Sequence, residues 1–269
     1  MAPENRDVFA VGSAYEAYIG RWSRPVAREF VRWLGVAPGK RWLDVGCGTG
    51  ALSEVLLEVG GARSVVGVDR SAGFVRHARE RSRSAELTFL EGDAQALPVP
   101  SDGFDAVVSG LVLNFVPEPP KMVAEMVRAA GPGSSVALYV WDLSGGMEII
   151  ARFWEGVTSV DPSATTAQNE AYRLREICAP GPLRELFAQA GLEEVETRAI
   201  DLLAVFRDFD DYWLPFLGGQ GPTPAYLMSL PAERRAAVRD ALRRMLPAGP
   251  DGSIRLNTRA WAVRGRKPA

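Results

Sequence analysis

A chain of 269 residues, 47% hydrophobic and 24% charged, has ordinary globular composition, which excludes a disordered, collagen-like or coiled-coil protein and suits one large α/β domain with an appendage, or two small domains. Its 31 Lys and Arg against 33 Asp and Glu leave a net charge of −2, and no basic run is long enough to grip a phosphate backbone, so nucleic acid is not an expected partner. Two cysteines, Cys47 and Cys178, and a single histidine, His77, supply neither a disulfide framework nor an ordinary zinc site, so no metal is expected.

The first residues lack an apolar leader core and no stretch approaches 18 uninterrupted apolar residues, so membrane insertion is not expected and the cytoplasm is the expected address. An aromatic N-terminal segment with Phe9, Tyr15, Tyr18 and Trp22 reads as a helical cap over 1–36. Residues 41–45 (RWLDV) form a short apolar run ending in a glycine cluster, after which Leu52, Val55, Leu56 and Val59 recur at helical spacing. The pattern is strand, glycine turn, helix. A β-branched run at 65–68 stops at Asp69, and Ser71 is a suitable N-cap for a helix carrying Phe74, Val75 and Ala78 on one face. The strand signal returns at 87–90, 104–108 and 136–141, with a helix over 119–130 closed by Pro132-Gly133.

Five strands alternating with helices require parallel pairing and right-handed crossovers, hence a doubly wound α/β sheet. Further on, a helix over 182–190 closed by Gly191, a strand over 192–206 and a last strand over 255–263 bring the expected sheet to seven strands, mostly parallel. Two helical insertions, 146–179 and 207–254, and the N-terminal segment fall where such a sheet would carry a lid. The expected division is a cap, 1–36, and one domain, 37–269, that contains both insertions.

The strongest local signal is Leu43-Asp44-Val45-Gly46-Cys47-Gly48-Thr49-Gly50. Three glycines between a strand and a helix let the backbone approach a ligand, and the helix start offers unpaired N–H groups. These glycines alone also satisfy the dinucleotide pattern of dehydrogenases. Asp44, two residues before the first glycine, would repel a pyrophosphate and attract an ammonium group. Asp69 ends the second strand, where a carboxylate takes two ribose hydroxyls. Asp93, in Gly92-Asp93-Ala94, is a third acid at the same sheet edge. The three together describe a site for a nucleoside with a cationic tail.

On these residues the sequence resembles the class I S-adenosylmethionine-dependent methyltransferases, by motif order and spacing over about 15–141 and by general layout beyond. Within that family it is most similar to small-molecule enzymes of the ubiquinone and menaquinone biosynthesis type, through the Tyr-containing N-terminal segment and RWLDVGCGTG. The resemblance implies a Rossmann-like methyltransferase fold and S-adenosylmethionine as cofactor. It implies Asp44, Gly46 and Gly48 on the methionine part, with Cys47 and Gly50 in the same loop, Asp69 on the ribose, and Asp93 with Ala94 at the adenine edge. Ser109 to Leu111, after the fourth strand, would flank the methyl donor. The family often has an apolar residue after the ribose acid; here it is Arg70, whose stem, or else Phe74, would cover the adenine.

Methyl transfer from a sulfonium needs desolvation and in-line alignment more than a dedicated base. If a base acts, Asp142 at the end of the fifth strand, or Tyr15 or Tyr18, is better placed than His77, which lies between Arg76 and Arg79 and reads as a surface residue. Trp22, Trp213 and Phe216 either flank an apolar or aromatic acceptor under a lid or pack as a satellite core. Arg21 and Arg24 either pair with the cofactor carboxylate or start a solvated helix. Cys47, between glycines and without a neighbouring base, is not expected to act as a thiolate.

Two other classes remain open on these residues. A nicotinamide-dependent oxidoreductase shares the glycine pattern, although no Tyr here has a Lys four residues later. A non-catalytic S-adenosylmethionine-binding relative shares the whole motif set. Nucleic-acid methylation is disfavoured because Leu113-Asn114-Phe115-Val116-Pro117 lacks an Asn-Pro-Pro-aromatic pattern. The expected partner is a small molecule, with its accepting atom and the oligomeric state not legible.

Overall fold

A computed structural model describes residues 16–219 and 221–269. After a π-helical turn, Glu16–Gly20, helix α1 (Arg21–Leu34) buries Val26, Ala27, Phe30, Val31 and Leu34, a 3.6-residue repeat on one face, and stops at Gly35 in the left-handed conformation. Strand β1 (Arg41–Val45) leads through the glycine loop into α2 (Ala51–Glu58). Strand β2 (Ser64–Asp69) is followed by α3 (Ala72–Arg81), capped by the Ser71 hydroxyl on the Phe74 N–H. Then come β3 (Leu87–Glu91), β4 (Phe104–Gly110), α4 (Pro119–Ala129) and β5 (Ala130–Trp141).

The first insertion holds α5 (Glu148–Val160) and α6 (Thr165–Ala171), and α7 (Pro180–Gln189) precedes the long strand β6 (Glu193–Phe206). The second insertion holds α8 (Phe209–Trp213), α9 (Pro222–Ser229) and α10 (Ala232–Met245), and β7 (Ile254–Arg266) closes the chain. Helix α10 crosses α5 closely at Gly156, where an added Cβ would lie 2.5 Å from Leu242 Cδ2.

The sheet has seven strands in the order β3-β2-β1-β4-β5-β7-β6, parallel except for β7, which runs antiparallel to both neighbours. The mostly parallel, doubly wound expectation therefore matches. Strand alternation divides the core in two. Trp42, Ala106, Ala137, Tyr139 and Trp141 face the layer with α1, α2 and the insertions, whereas Leu43, Val45, Val107, Val136 and Leu138 face the layer with α4 and α7. Both faces are dry, as a parallel sheet requires.

Chain order reverses between β1 and β4, so the loops after these strands diverge and leave a crevice at their carboxyl ends. Among the described residues no helix is long and apolar enough to cross a membrane, and no cluster of three or more His, Cys, Asp or Glu has metal-binding geometry.

Candidate active site

The loop after β1 is clamped by the end of β2. The N–H groups of Gly46 and Cys47 donate to the Val68 carbonyl at 2.7 and 3.0 Å, and the Gly48 N–H donates to Asp69 Oδ2 at 2.9 Å. Asp69 Oδ1 accepts from the Ser71 N–H at 2.9 Å, so this carboxylate braces two loops. Gly46 is obligatory here. Its φ is +73°, and a Cβ would sit 2.4 Å from Val112 Cγ2, so any side chain would collide with the loop after β4.

Asp44 is fully buried behind this loop. Its Oδ2 accepts from the Ser53 hydroxyl at 2.6 Å, whereas Oδ1 has no hydrogen-bond partner among the described atoms. Desolvation pushes the carboxyl up to about 7, the Ser53 bond opposes that, and the Asp69 charge adds to it. A buried carboxylate oxygen without a donor is costly, and a ligand ammonium at this point would supply both the donor and the opposite charge.

A cavity of roughly 590 Å³ opens beside these groups. Asp44, Gly46, Cys47, Gly48, Asp69, Arg70 and Leu111 line it, together with Phe74. A smaller adjoining pocket of roughly 70 Å³ shares Gly46, Asp69 and Arg70 with it and adds Asp93 and Ala94. The Asp93 carboxylate there accepts from the Gln95 N–H at 2.8 Å. Tyr18, Ile19 and Ser23 from the N-terminal side, Tyr139, Trp141 and Leu143 around the end of β5, Val112, Asn114 and Phe115 after β4, and Ile150, Tyr172, Arg173, Gly221 and Pro222 from the insertions add to the walls. Arg70 and Arg173 are the only cationic groups on the described wall, and Asp44 and Asp69 the only acids.

Several sequence expectations need correction. The Ser109 hydroxyl donates to the Val45 carbonyl at 2.6 Å and ties β4 to β1, so it points along the sheet and does not line the cavity. Gly50 starts α2 in the left-handed conformation, against the Phe89 ring, and stands off the wall. Asp142 also stands off it. Its carboxylate accepts from the Ser144 N–H at 3.1 Å and its carbonyl from the Met147 N–H at 2.9 Å, which closes the turn before α5.

Trp22, Trp213 and Phe216 pack inside the helical layer rather than on the cavity. Trp22 meets Phe206 edge-on at 5.6 Å, Trp213 stacks on Phe209 at 6.3 Å, and Phe216 lies between Tyr18 at 4.9 Å and Phe153 at 4.7 Å. The insertions have their own apolar faces to bury, and these rings do so. Arg21 pairs with Asp211 at 3.0 Å across the rings of Trp22 and Phe206, and Arg24 pairs with Glu54, so neither faces the cavity. His77 is half-buried with its Nε2 buried and unpartnered, not the solvated residue expected, and it does not line the cavity. Tyr15 lies outside the described residues.

Reading the sequence missed Tyr139, Trp141, Ile150, Tyr172, Arg173 and Pro222 as wall residues. Only Tyr139 and Trp141 carry a signal, as aromatics at the carboxyl end of a central strand. Leu111 has φ +65°, a left-handed backbone in a non-glycine residue, held by its N–H on the Tyr139 carbonyl at 2.8 Å. Burial and the charges of Asp44 and Asp69 raise the Cys47 thiol well above its ordinary value. Burial likewise pushes the Tyr172 hydroxyl up to about 12, against the hydrogen bond that it shares with Thr223.

Residues 43–138, from β1 to β5, match the methyltransferase domain family model. The match covers 96 of the 269 residues. Demethylmenaquinone methyltransferase of Renibacterium salmoninarum is 39% identical over 118 residues, 44% of this chain and 46% of that protein. 2-phytyl-1,4-naphtoquinone methyltransferase of Synechococcus elongatus is 36% identical over 116 residues, 41% of this chain and 50% of that protein. The chain thus matches about half the length of these curated relatives. Phosphoethanolamine N-methyltransferase 2 of Haemonchus contortus, solved with phosphomonomethylethanolamine and S-adenosylhomocysteine, superposes with a TM-score of 0.61 at 18% identity over all of this chain and 59% of that one. That likeness concerns the methyltransferase fold.

Proposed function

We propose that the chain transfers a methyl group from S-adenosylmethionine to a small organic acceptor with a largely apolar body. The observation that carries this reading is the orphaned, fully buried Oδ1 of Asp44 beside the glycine loop, a place made for a cationic amino group and hostile to a pyrophosphate. Asp44 would hold that amino group, Asp69 the ribose hydroxyls, and Asp93 with Ala94 the adenine edge. Arg70 and Phe74, both on the wall, are the side chains available to cover the base. When bound, S-adenosylmethionine supplies an activated methyl on a sulfonium.

The work left to the protein is binding, alignment and exclusion of water. The strained turn at Leu111 and the Tyr139 side chain, whose hydroxyl lies 2.5 Å from where a Gly110 Cβ would be, shape the wall next to the end of β4. We read residues 37–269 as one unit whose insertions at 146–179 and 207–254 roof the acceptor space with Ile150, Tyr172, Gly221 and Pro222; of the expected cap over 1–36, residues 1–15 lie outside the described residues. Tyr18 is the wall residue best suited to orient an acceptor. The quinone-directed names of the curated relatives support an apolar or aromatic acceptor.

The test is turnover. The protein is incubated with S-adenosylmethionine and a panel of naphthoquinols, phenols and aromatic acids, and S-adenosylhomocysteine release is followed. Acceptor-dependent release supports the reading. Binding of S-adenosylhomocysteine without release across the panel would favour the non-catalytic relative.

A further inference from the structure

The charged groups of the cavity come from two separate parts of the chain. Asp44 and Asp69, with Arg70 next to them, belong to the ends of β1 and β2. The wall built by the two insertions carries one charged residue, Arg173, among otherwise uncharged neighbours. Other arginines of these insertions are engaged: Arg152 with Glu155 at 2.9 Å, Arg175 with Asn169 Oδ1 at 2.8 Å and Arg234 with Asp161 at 3.0 Å. Arg173 has no carboxylate within ion-pair distance among the described residues.

Its backbone is nevertheless fixed. The preceding Tyr172 is buried, shares a hydrogen bond with Thr223 from the other insertion, and meets Trp154 edge-on at 6.4 Å. The Arg175 N–H closes the turn on the Tyr172 carbonyl at 2.9 Å. Arg173 is thus an exposed residue of the cavity wall, carried on an anchored turn, whose guanidinium has no ion-pair partner among the described residues and is open to an anion.

We propose that Arg173 is a specificity-determining residue that takes the negative charge of the acceptor, and that the acceptor is an organic oxyanion with an apolar body, a carboxylate or an ionised phenol. This rests on the methyl-transfer reading and deepens it. In the step, an electron pair of the acceptor oxygen forms the new O–CH3 bond while the S–CH3 bond breaks and its pair passes to sulfur. Anion and sulfonium become a neutral ester or ether and a neutral thioether, and there is no proton to remove. That balance suits a wall whose Cys47 thiol and Tyr172 hydroxyl stay protonated and which has no described histidine or lysine.

The test uses the full chain and two probes of equal shape, 2-naphthoate and neutral 2-naphthamide, titrated calorimetrically into protein already loaded with S-adenosylhomocysteine. The naphthoate should bind at least about tenfold more tightly. Arg173→Gln should abolish that preference and Arg173→Lys should keep most of it, with affinity for S-adenosylhomocysteine unchanged in both. Equal binding of the two probes, no binding of naphthoate, or a preference that survives Arg173→Gln would overturn the inference. So would a matching loss of S-adenosylhomocysteine affinity in Arg173→Gln, which would assign the arginine to the cofactor's own carboxylate. Failure of S-adenosylhomocysteine to load the unmutated chain would remove the methyl-transfer reading and this inference with it, whereas loading without charge preference removes the inference alone.

Discussion

Replacing Asp44 by asparagine should stabilise the free protein at neutral pH while weakening its hold on the cofactor. The carboxyl is fully buried, and its pKa is raised to about 7 from an ordinary 3.8. An acid raised in this way binds more protons folded than unfolded between those two values, so its cost to stability is nearly absent below pH 4, grows up to pH 7 and is constant above. About three pH units at 1.36 kcal/mol each make that cost roughly 4 kcal/mol at pH 7.5. Asparagine can still accept from Ser53, but it buries an amide N–H without an acceptor, at about 1–3 kcal/mol.

The net expectation is a gain of about 1–3 kcal/mol at pH 7.5 that vanishes or reverses at pH 4, read by urea denaturation of both proteins at each pH. In parallel, losing the charge opposite an ammonium should cost about 1.5–3 kcal/mol of S-adenosylhomocysteine affinity, roughly ten- to hundredfold. For the unmutated chain the same affinity should fall as pH drops below 7 and Asp44 takes up a proton. A variant equally destabilised at both pH values, or one with unchanged affinity, would refute the reasoning.

Asp69→Ala removes both the proposed ribose ligand and the brace on the Gly48 and Ser71 N–H groups, so S-adenosylhomocysteine affinity should fall by roughly 1.5–3 kcal/mol per charge-assisted bond lost while the far-ultraviolet circular dichroism is kept. Trp213→Ala, now placed inside the helical layer, should lower unfolding free energy by about 3–5 kcal/mol and reduce cofactor binding and turnover alike; selective loss of acceptor use with unchanged stability would return Trp213 to the cavity wall. Gly46→Ala should destabilise by about 1–3 kcal/mol through its φ and its clash with Val112, and Val112→Ala in the same chain should recover only part of that; full recovery in a double-mutant cycle would show that the backbone is not strained.

The central strands and their loops were legible because each is announced locally, by a β-branched or apolar run, an acid or glycine at its end, and a helix cap such as Ser71. The direction of β7 was not, since hydrophobic periodicity carries no polarity; its antiparallel course follows from pairing with both β5 and β6. Strand β5 begins at Ala130, six residues before the apolar run: Ala130 pairs with Phe104, and regular pairing resumes at Ser135 after an irregularity that carries no apolar pattern. The cofactor side of the cavity could be read from Asp44, Gly46 and Asp69, where residue type and backbone conformation are bound together.

The acceptor side was hidden in residues with no motif, such as Ile150, Tyr172 and Pro222, which meet only through packing of two insertions far apart in sequence. The conspicuous aromatics Trp213 and Phe216 were misplaced because a helical insertion must first bury its own apolar face. Ser109 was misplaced because a hydroxyl at a strand end can bond sideways to a neighbouring strand as readily as it can face a ligand.

The most direct measurement of the central claim is a calorimetric titration of the full chain at pH 7.5 with S-adenosylhomocysteine and, separately, with NADH. The site built on Asp44 and Asp69 predicts saturable binding of S-adenosylhomocysteine in about the micromolar range and no comparable binding of NADH. Tight NADH binding without S-adenosylhomocysteine binding would contradict the account.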